Sequence, residues 1–286
     1  MMRASNILRD FKPDVVVGVG GYASGPLLYA AGNRKIPYVI QEQNSYAGIT
    51  NKLLSRKAAK ICVAFSGMEK FFPSDKILFT GNPIRKDSVD IQGKRFEGLS
   101  YYELSENKKT ILVIGGSLGS LTLNNSVLAN LEKIKSHNIQ LIWQCGNYYH
   151  SSLNEQLSES DLAGVKLLPF LQRMDLAYAA ADVIISRAGA GTIAELCVVA
   201  KPVILVPSPN VAEDHQSVNA KSLEVKDAAL IVRDIDAKER LMDTAIELVR
   251  DEKRCNELSA NIQQMAIIDA DDVIAKEVLT LAGGLI

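Results

Sequence analysis

Residues 110–124 read TILVIGGSLGSLTLN. Five apolar or β-branched positions, Thr110 to Ile114, run into a pair of glycines, and a segment of helical period follows. That order is a buried strand, a tight turn and the start of a helix. The turn Gly115-Gly116-Ser117-Leu118-Gly119-Ser120 allows close backbone approach to a ligand. Ser117 can donate its hydroxyl, and the amides at the positive end of the helix can meet a diphosphate. Plain helix initiation by a Gly-Ser turn explains the same letters, so the turn carries weight only through its surroundings.

Those surroundings repeat it. GVGGYASGP, Gly18 to Pro26, follows a strand expected over Asp14 to Val19, with Pro26 placed to open a helix. SRAGAGT, Ser186 to Thr192, follows a strand expected over Asp182 to Ser186. Further apolar runs lie at Pro37 to Gln41, Lys60 to Ala64 and Lys76 to Thr80, then at Gln140 to Cys145, Val165 to Pro169, Pro202 to Val206 and Ala228 to Val232. Runs of this length alternating with helical segments are the mark of an α/β protein with parallel sheets. The turn Gly81-Asn82-Pro83 and the charged, unpatterned stretch that follows divide the chain. We expect a first domain over 1–84, a linker and irregular segment over 85–109, a second domain over 110–266, and a C-terminal helix within 267–286 that can pack on either domain. The second domain has the six strands of a complete doubly wound sheet, whereas the first has four, fewer than such a domain usually carries. A segment at its front is therefore expected to be missing.

At 286 residues, 47% hydrophobic and 23% charged, the chain can bury a core without metal or disulfide staples. Cys62, Cys145, Cys197 and Cys255 are widely spaced and form no CxxC pair, which argues against structural zinc and fits a reducing compartment. No signal peptide opens the sequence, and no apolar run reaches the length of a membrane span. The net charge of −1 argues against general nucleic-acid binding, yet it conceals an asymmetry. Residues 1–83 hold 11 Lys+Arg against 5 Asp+Glu, net +6, leaving net −7 for the remainder. A basic first domain suits an anionic membrane surface or a phosphorylated substrate, and equally a chance distribution of solvated lysines.

Several polar groups fall at expected strand ends. In the third glycine turn Thr192 and Glu195 have capping-box spacing, while a Glu one turn into a helix at the ligand crevice can also accept two hydrogen bonds from a ribose diol. Arg187 fits either a phosphate or a surface role. The loop Pro207 to Gln216 lies at the same end of the sheet, where Asp214 can cap a helix. His215 stands in no triad pattern of sequence, and no Ser or Cys sits in a nucleophile elbow, so covalent hydrolase chemistry is poorly supported. In the first domain QEQNSYAG, Gln41 to Gly48, is polar for a strand end, and Glu42 is its carboxylate. The segment Asn51 to Lys60 sets Lys52, Arg56, Lys57 and Lys60 beside Leu53 and Leu54, a pattern of a solvated helix face or a membrane-facing one.

Taken in order, KPDVVVGVGGYASGP, EQNSYAGITNKLL, GNPIR, VIGGSLGSLTLN, ISRAGAGTIAEL and EDHQSVNA closely resemble the MurG family across nearly the whole chain. These are peripheral membrane glycosyltransferases that add N-acetylglucosamine to the lipid-linked muramyl-pentapeptide precursor of peptidoglycan. The resemblance implies a GT-B architecture of two doubly wound, Rossmann-like domains, the N-terminal one incomplete here, with the acceptor on the first and the nucleotide sugar on the second. Carried over by motif, Asn44 looks like a contact of the donor sugar, Arg85 and Ser117 like diphosphate and nucleotide contacts, and Leu171 in PFLQRM like a backbone reader of uracil. Ala190, Gly191, Thr192 and Glu195 match the segment around the nucleotide, with Glu195 on the ribose, and Gln216 matches a glutamine near the sugar hydroxyls. The family's HEQN reads QEQN here. The family also opens with a strand and a GGTGGH loop, thought to hold the acceptor diphosphate and a base. This chain starts where a late helix of the first domain would be, so about a quarter of a family member is expected to be absent.

The resemblance implies an inverting transfer from UDP-N-acetylglucosamine to the C4 hydroxyl of undecaprenyl-diphosphate-linked muramyl-pentapeptide, at the cytoplasmic face of the inner membrane and its anionic surface. Helix amides, Ser117 and Arg85 are chemically sufficient for a leaving diphosphate, so no metal or other cofactor is expected. The sequence does not identify the catalytic base, for which Glu42 is a candidate. Two alternatives stand beside this: a donor-binding fragment without transfer, and another UDP-sugar enzyme such as an epimerase.

Overall fold

The structure, a computed structural model, describes residues 2–210 and 214–284. It divides into two compact units, Met1–Ile84 with Ile267–Ile286, and Arg85–Ala266.

The first unit is built on four parallel strands, β1 (Val16–Gly18), β2 (Tyr38–Glu42), β3 (Lys60–Val63) and β4 (Ile77–Phe79), lying side by side in chain order. All five residues of β2 are buried, as befits an inner strand of a parallel sheet. Its core joins Leu28, Tyr38, Ile40, Ile61, Met68 and Phe72, and the Tyr38 hydroxyl donates to the Leu54 carbonyl at 2.6 Å. The helix after β1 runs over Gly21–Asn33, so Pro26 sits inside it rather than opening it. Gly20 at φ 88° makes the turn earlier than Pro26 could. The missing proline N–H frees only a carbonyl near the helix start, where water can reach it.

The second unit carries β5 (Lys109–Ile114), β6 (Ile139–Gln144), β7 (Val165–Leu168), β8 (Val183–Ser186), β9 (Val203–Leu205) and β10 (Leu230–Ile231). Their order is β10-β9-β8-β5-β6-β7, with every pair parallel. The chain winds outward from β5 to β7, then returns to the other side of β5 and winds outward again. The order therefore reverses between β5 and β8, and ligands of such sheets bind outside the carboxyl ends at that point. Ile114 pairs with Ser186, which sets the two strand ends level.

All ten expected strands are present, β10 reduced to two residues at the sheet edge. The 85–109 segment is not an irregular linker. It contains helices Lys86–Val89 and Arg95–Tyr101, and both pack on the helix Met174–Ala180. Gly98 permits this, since a Cβ there would lie 2.4 Å from the Leu176 carbonyl. Arg95 then donates to the Ala180 carbonyl at 3.0 Å and to Asp182 at 3.1 Å. The segment read without strong period thus buries one side against a helix distant in sequence. The helix expected from Asp236 onward is two, Ala237–Arg250 and Glu252–Gln263, with Asp251 capping the second through the Arg254 N–H at 2.9 Å.

Candidate functional site

The carboxyl end of β5 turns through Gly115–Ser120 into helix Leu121–Leu128. Gly119 has φ 78°, and a Cβ on it would stand 2.0 Å from the Cys145 carbonyl, so only glycine lets the turn lie against the end of β6. Gln144, buried at that end, accepts from the Gly115 N–H at 3.0 Å and donates to the carbonyls of Gly116 (2.9 Å) and Pro169 (3.2 Å). One side chain thereby ties the β5, β6 and β7 ends together. Ser120 is the helix N-cap, accepting from the Leu123 N–H at 3.3 Å. Ser117 and Leu118 are exposed at the tip of the turn.

Beside it, β8 ends at Ser186 and helix Ala190–Val199 begins at an N-cap of Gly189. Thr192 and Glu195 do not form a capping box. The helix starts two residues before Thr192, and no side chain caps it. Position at the sheet end, rather than the local Thr-x-x-Glu spacing, sets where this helix starts. Glu195 instead faces Tyr178, whose hydroxyl donates to Glu195 Oε2 at 3.2 Å. Burial pushes the Glu195 carboxyl above the usual carboxylate range, while the Tyr178 hydrogen bond and the Arg85 charge pull it back. Arg85 stands at the start of helix Lys86–Val89, which packs against the helix of Glu195.

Arg187, read as near a phosphate or as a surface cation, is not a free surface cation. Its Nε and Nη2 donate to Ser120 Oγ at 3.0 and 2.6 Å, and Nη1 donates to the Val206 carbonyl at 2.9 Å and pairs with Asp234. It fastens the β8 turn to the β5 turn. Gln216, opening helix His215–Glu224, accepts at Oε1 from Ala188 N–H (3.2 Å) and Ser208 N–H (2.8 Å). Its Nε2 takes no partner among the described residues. Asp214 occupies the N-cap position at φ 51° without a side-chain cap bond. Residues 211–213 of the same loop, Glu213 of the EDHQSVNA motif included, lie outside the described residues. Leu171, 4% exposed, follows β7, and neither of its backbone polar groups is hydrogen-bonded among the described residues.

Ser117, Leu171, Ala190, Gly191, Thr192, Glu195 and Gln216 thus gather beyond the carboxyl ends of one sheet, with Arg85 beside Glu195. The sequence reading missed Tyr178, Gln144 and Asp234. Gln144 carried a signal, a polar residue closing the apolar run IQLIWQ. Tyr178 and Asp234 carried none, because their partners lie 17 and 47 residues away.

Asn44 and Glu42 belong to the first unit. Glu42, only 3% exposed, accepts from Asn44 N–H at 3.1 Å through Oε1, and from Gly48 N–H at 3.0 Å and Asn51 Nδ2 at 2.8 Å through Oε2. A general base must reach the proton it abstracts. Glu42 is buried and committed to holding the loop that carries Asn44, so its reading as the catalytic base is set aside. Asn82 of GNPIR closes the same corner, accepting from Gln41 at 2.8 Å and donating to the Gln43 carbonyl at 3.0 Å.

Comparison with known proteins bears on the whole arrangement. The glycosyltransferase family 28 C-terminal domain matches residues 110–274, and its N-terminal domain matches residues 1–63. The UDP-N-acetylglucosamine--N-acetylmuramyl-(pentapeptide) pyrophosphoryl-undecaprenol N-acetylglucosamine transferase of Parabacteroides distasonis is 52% identical over 278 residues, covering 97% of this chain and 76% of that protein. The protein of the same description from Bacteroides thetaiotaomicron is 51% identical over 282 residues, covering 98% and 76%. Among solved structures, Acinetobacter baumannii MurG is similar at a TM-score of 0.80 and 29% identity, over 98% of this chain and 77% of that one. A UDP-GlcNAc 2-epimerase from Neisseria meningitidis, bound to UDP-GlcNAc, shares the fold at a TM-score of 0.69 and 17% identity, over 98% and 80%.

Proposed function

The chain belongs to glycosyltransferase family 28 and, within it, to the UDP-N-acetylglucosamine--N-acetylmuramyl-(pentapeptide) pyrophosphoryl-undecaprenol N-acetylglucosamine transferases. From that membership we infer that it transfers N-acetylglucosamine from UDP-N-acetylglucosamine to the C4 hydroxyl of undecaprenyl-diphosphate-linked muramyl-pentapeptide in peptidoglycan synthesis. The architecture is GT-B, with two Rossmann-like domains. The acceptor hydroxyl attacks the anomeric carbon as the bond from that carbon to the UDP oxygen breaks. Configuration inverts, UDP leaves, and the hydroxyl proton passes to a base.

The observation that carries this reading is the cluster of groups around the β5 and β8 ends. In it the Gly115–Ser120 turn and the capped helix Leu121–Leu128 receive the diphosphate, whose growing charge is met by backbone amides, the Ser117 hydroxyl and the Arg85 guanidinium. Glu195 accepts from the ribose hydroxyls. The unpaired backbone of Leu171 meets the uracil edge, and the Nε2 of Gln216 meets the sugar. Ala190, Gly191 and Thr192, in the first turn of their helix, line the nucleotide. The first unit takes the lipid-linked acceptor, and its exposed apolar and basic side chains rest peripherally on the anionic cytoplasmic face of the inner membrane.

The test is incubation of the chain with sugar-labelled UDP-N-acetylglucosamine, with and without lipid-linked muramyl-pentapeptide. Label entering the lipid, with UDP released only when acceptor is present, is the expected result. Conversion of the sugar in the absence of acceptor would replace transfer with epimerisation. Binding of UDP-N-acetylglucosamine with neither product would reduce the protein to donor binding.

A further inference from the structure

Tyr178 lies on the helix Met174–Ala180 and is fully buried. A buried phenol must spend its O–H on an acceptor, and the one it reaches is Glu195 Oε2, 3.2 Å away on another helix. The platform behind it is firm. Asp175 through Ala180 are all buried, and the preceding turn is clamped by Arg173, which donates to Asp175 at 2.9 and 2.8 Å, with Lys94 at 3.3 Å. Glu195 by contrast is only partly buried and has several rotatable bonds. Among the described residues Tyr178 is its one hydrogen-bond donor, and it occupies one oxygen and leaves Oε1 open.

We propose that Tyr178 is a positioning residue that presets the Glu195 carboxylate for a vicinal diol, so that the donor site favours a ribonucleotide over its 2′-deoxy counterpart. This rests on the reading that Glu195 takes the ribose. A side chain already held in its bound rotamer loses little freedom when the ligand arrives, and that gain is felt only by a ligand bearing the hydroxyls. The hydrogen bond also pulls the Glu195 carboxyl back toward ionisation against its burial, which keeps it an acceptor.

The experiment is calorimetric titration of the full chain with UDP and with 2′-deoxy-UDP, for the parent, Tyr178→Phe, Glu195→Gln and the double variant. Tyr178→Phe removes one hydroxyl and keeps the ring. We expect it to weaken UDP roughly three- to tenfold, the scale of one hydrogen bond, while leaving 2′-deoxy-UDP nearly unchanged. In Glu195→Gln the preference should shrink further, and adding Tyr178→Phe to it should do nothing more to the ratio. Retained binding of 2′-deoxy-UDP reports that the site is folded. Equal losses for both nucleotides in Tyr178→Phe would assign Tyr178 to packing alone and overturn the proposal, as would an unchanged ratio there alongside a reduced one in Glu195→Gln. An unchanged ratio in Glu195→Gln itself would instead overturn the ribose reading and the proposal with it.

Discussion

Glu195 and Asp175, two buried or half-buried carboxyls of one unit, are both raised by desolvation, and the hydrogen bonds around each decide the net direction. Glu195 is raised by desolvation, so its carboxylate is lost on acidification sooner than that of an ordinary Glu. UDP affinity should therefore fall as pH drops through this raised value, and Glu195→Gln should flatten the acid limb while weakening UDP about ten- to a hundredfold at neutral pH, as measured by titration across pH. Asp175 is also buried, but hydrogen bonds from Arg173, then Lys94 and the Leu176 amide, draw its carboxyl down to about 2. Its folded value lies below the unfolded one. The stability it contributes, on the order of 2 kcal/mol, is thus present above about pH 4 and disappears as pH falls toward 2. Urea unfolding of Asp175→Asn against the parent should show a gap at neutral pH that closes in acid. Glu42, in the first unit, is a buried side chain that accepts from three N–H donors.

Among the elements, the turn from β5 into helix Leu121–Leu128 is constrained from several strands at once. Ser120 serves two structures at once, capping its own helix and receiving Arg187 from the β8 turn. Ser120→Ala removes the cap and leaves a half-buried guanidinium short of two acceptor contacts, for an expected loss of about 1–2 kcal/mol. Thermal unfolding measures that loss, and UDP titration should show weaker binding because the two turns are no longer fastened. Gly119→Ala should be more severe. Its Cβ collides with backbone, not a flexible side-chain tip, so the turn must move off β6 and UDP binding should vanish in the same titration. The glycine pattern is visible in the sequence because only local backbone geometry demands it. Its anchors, Gln144 and Arg187, come from other strands.

For the whole molecule, charge is best counted over the compact units instead of over stretches of sequence. The C-terminal segment brings Asp269, Asp271, Asp272 and Glu277 to the first unit. With them, that unit holds 12 Lys+Arg against 9 Asp+Glu, net +3 in place of +6, and Arg85–Ala266 carries −4. Several of its cations are also engaged: Lys76 donates to the Arg56 and Ala58 carbonyls, and Lys52 lies 4.5 Å from the centre of the Tyr46 ring. Membrane attachment should accordingly draw on apolar contact as well as charge. Met2, Ile7 and Phe11 are exposed on helix Met2–Phe11 beside Arg3 and Arg9, and no helix among the described residues is long and apolar enough to cross a membrane. Co-sedimentation with anionic vesicles should weaken with salt without being abolished, and Phe11→Ser should lower the part that salt leaves. Binding that salt removes completely would assign attachment to charge alone.

The sequence by itself determined the ten strands, the glycine turns that follow three of them and the ordered motifs of the family, because strand period, turn chemistry and motif order are properties of neighbours along the chain. Only the tertiary structure decided the rest. The order β10-β9-β8-β5-β6-β7, the packing of helices from 85–109 on Met174–Ala180, and the joining of the C-terminal segment to the first unit depend on which apolar faces meet. The same holds within the site. Thr192 and Glu195 have the letters of a cap, and Glu42 those of a base. Whether such a carboxylate caps a helix, holds a loop or faces a buried hydroxyl is set by burial and by donors brought from distant residues, Tyr178 for Glu195 and Asn51 for Glu42. Pairing and desolvation are non-local, and no spacing along the chain encodes them.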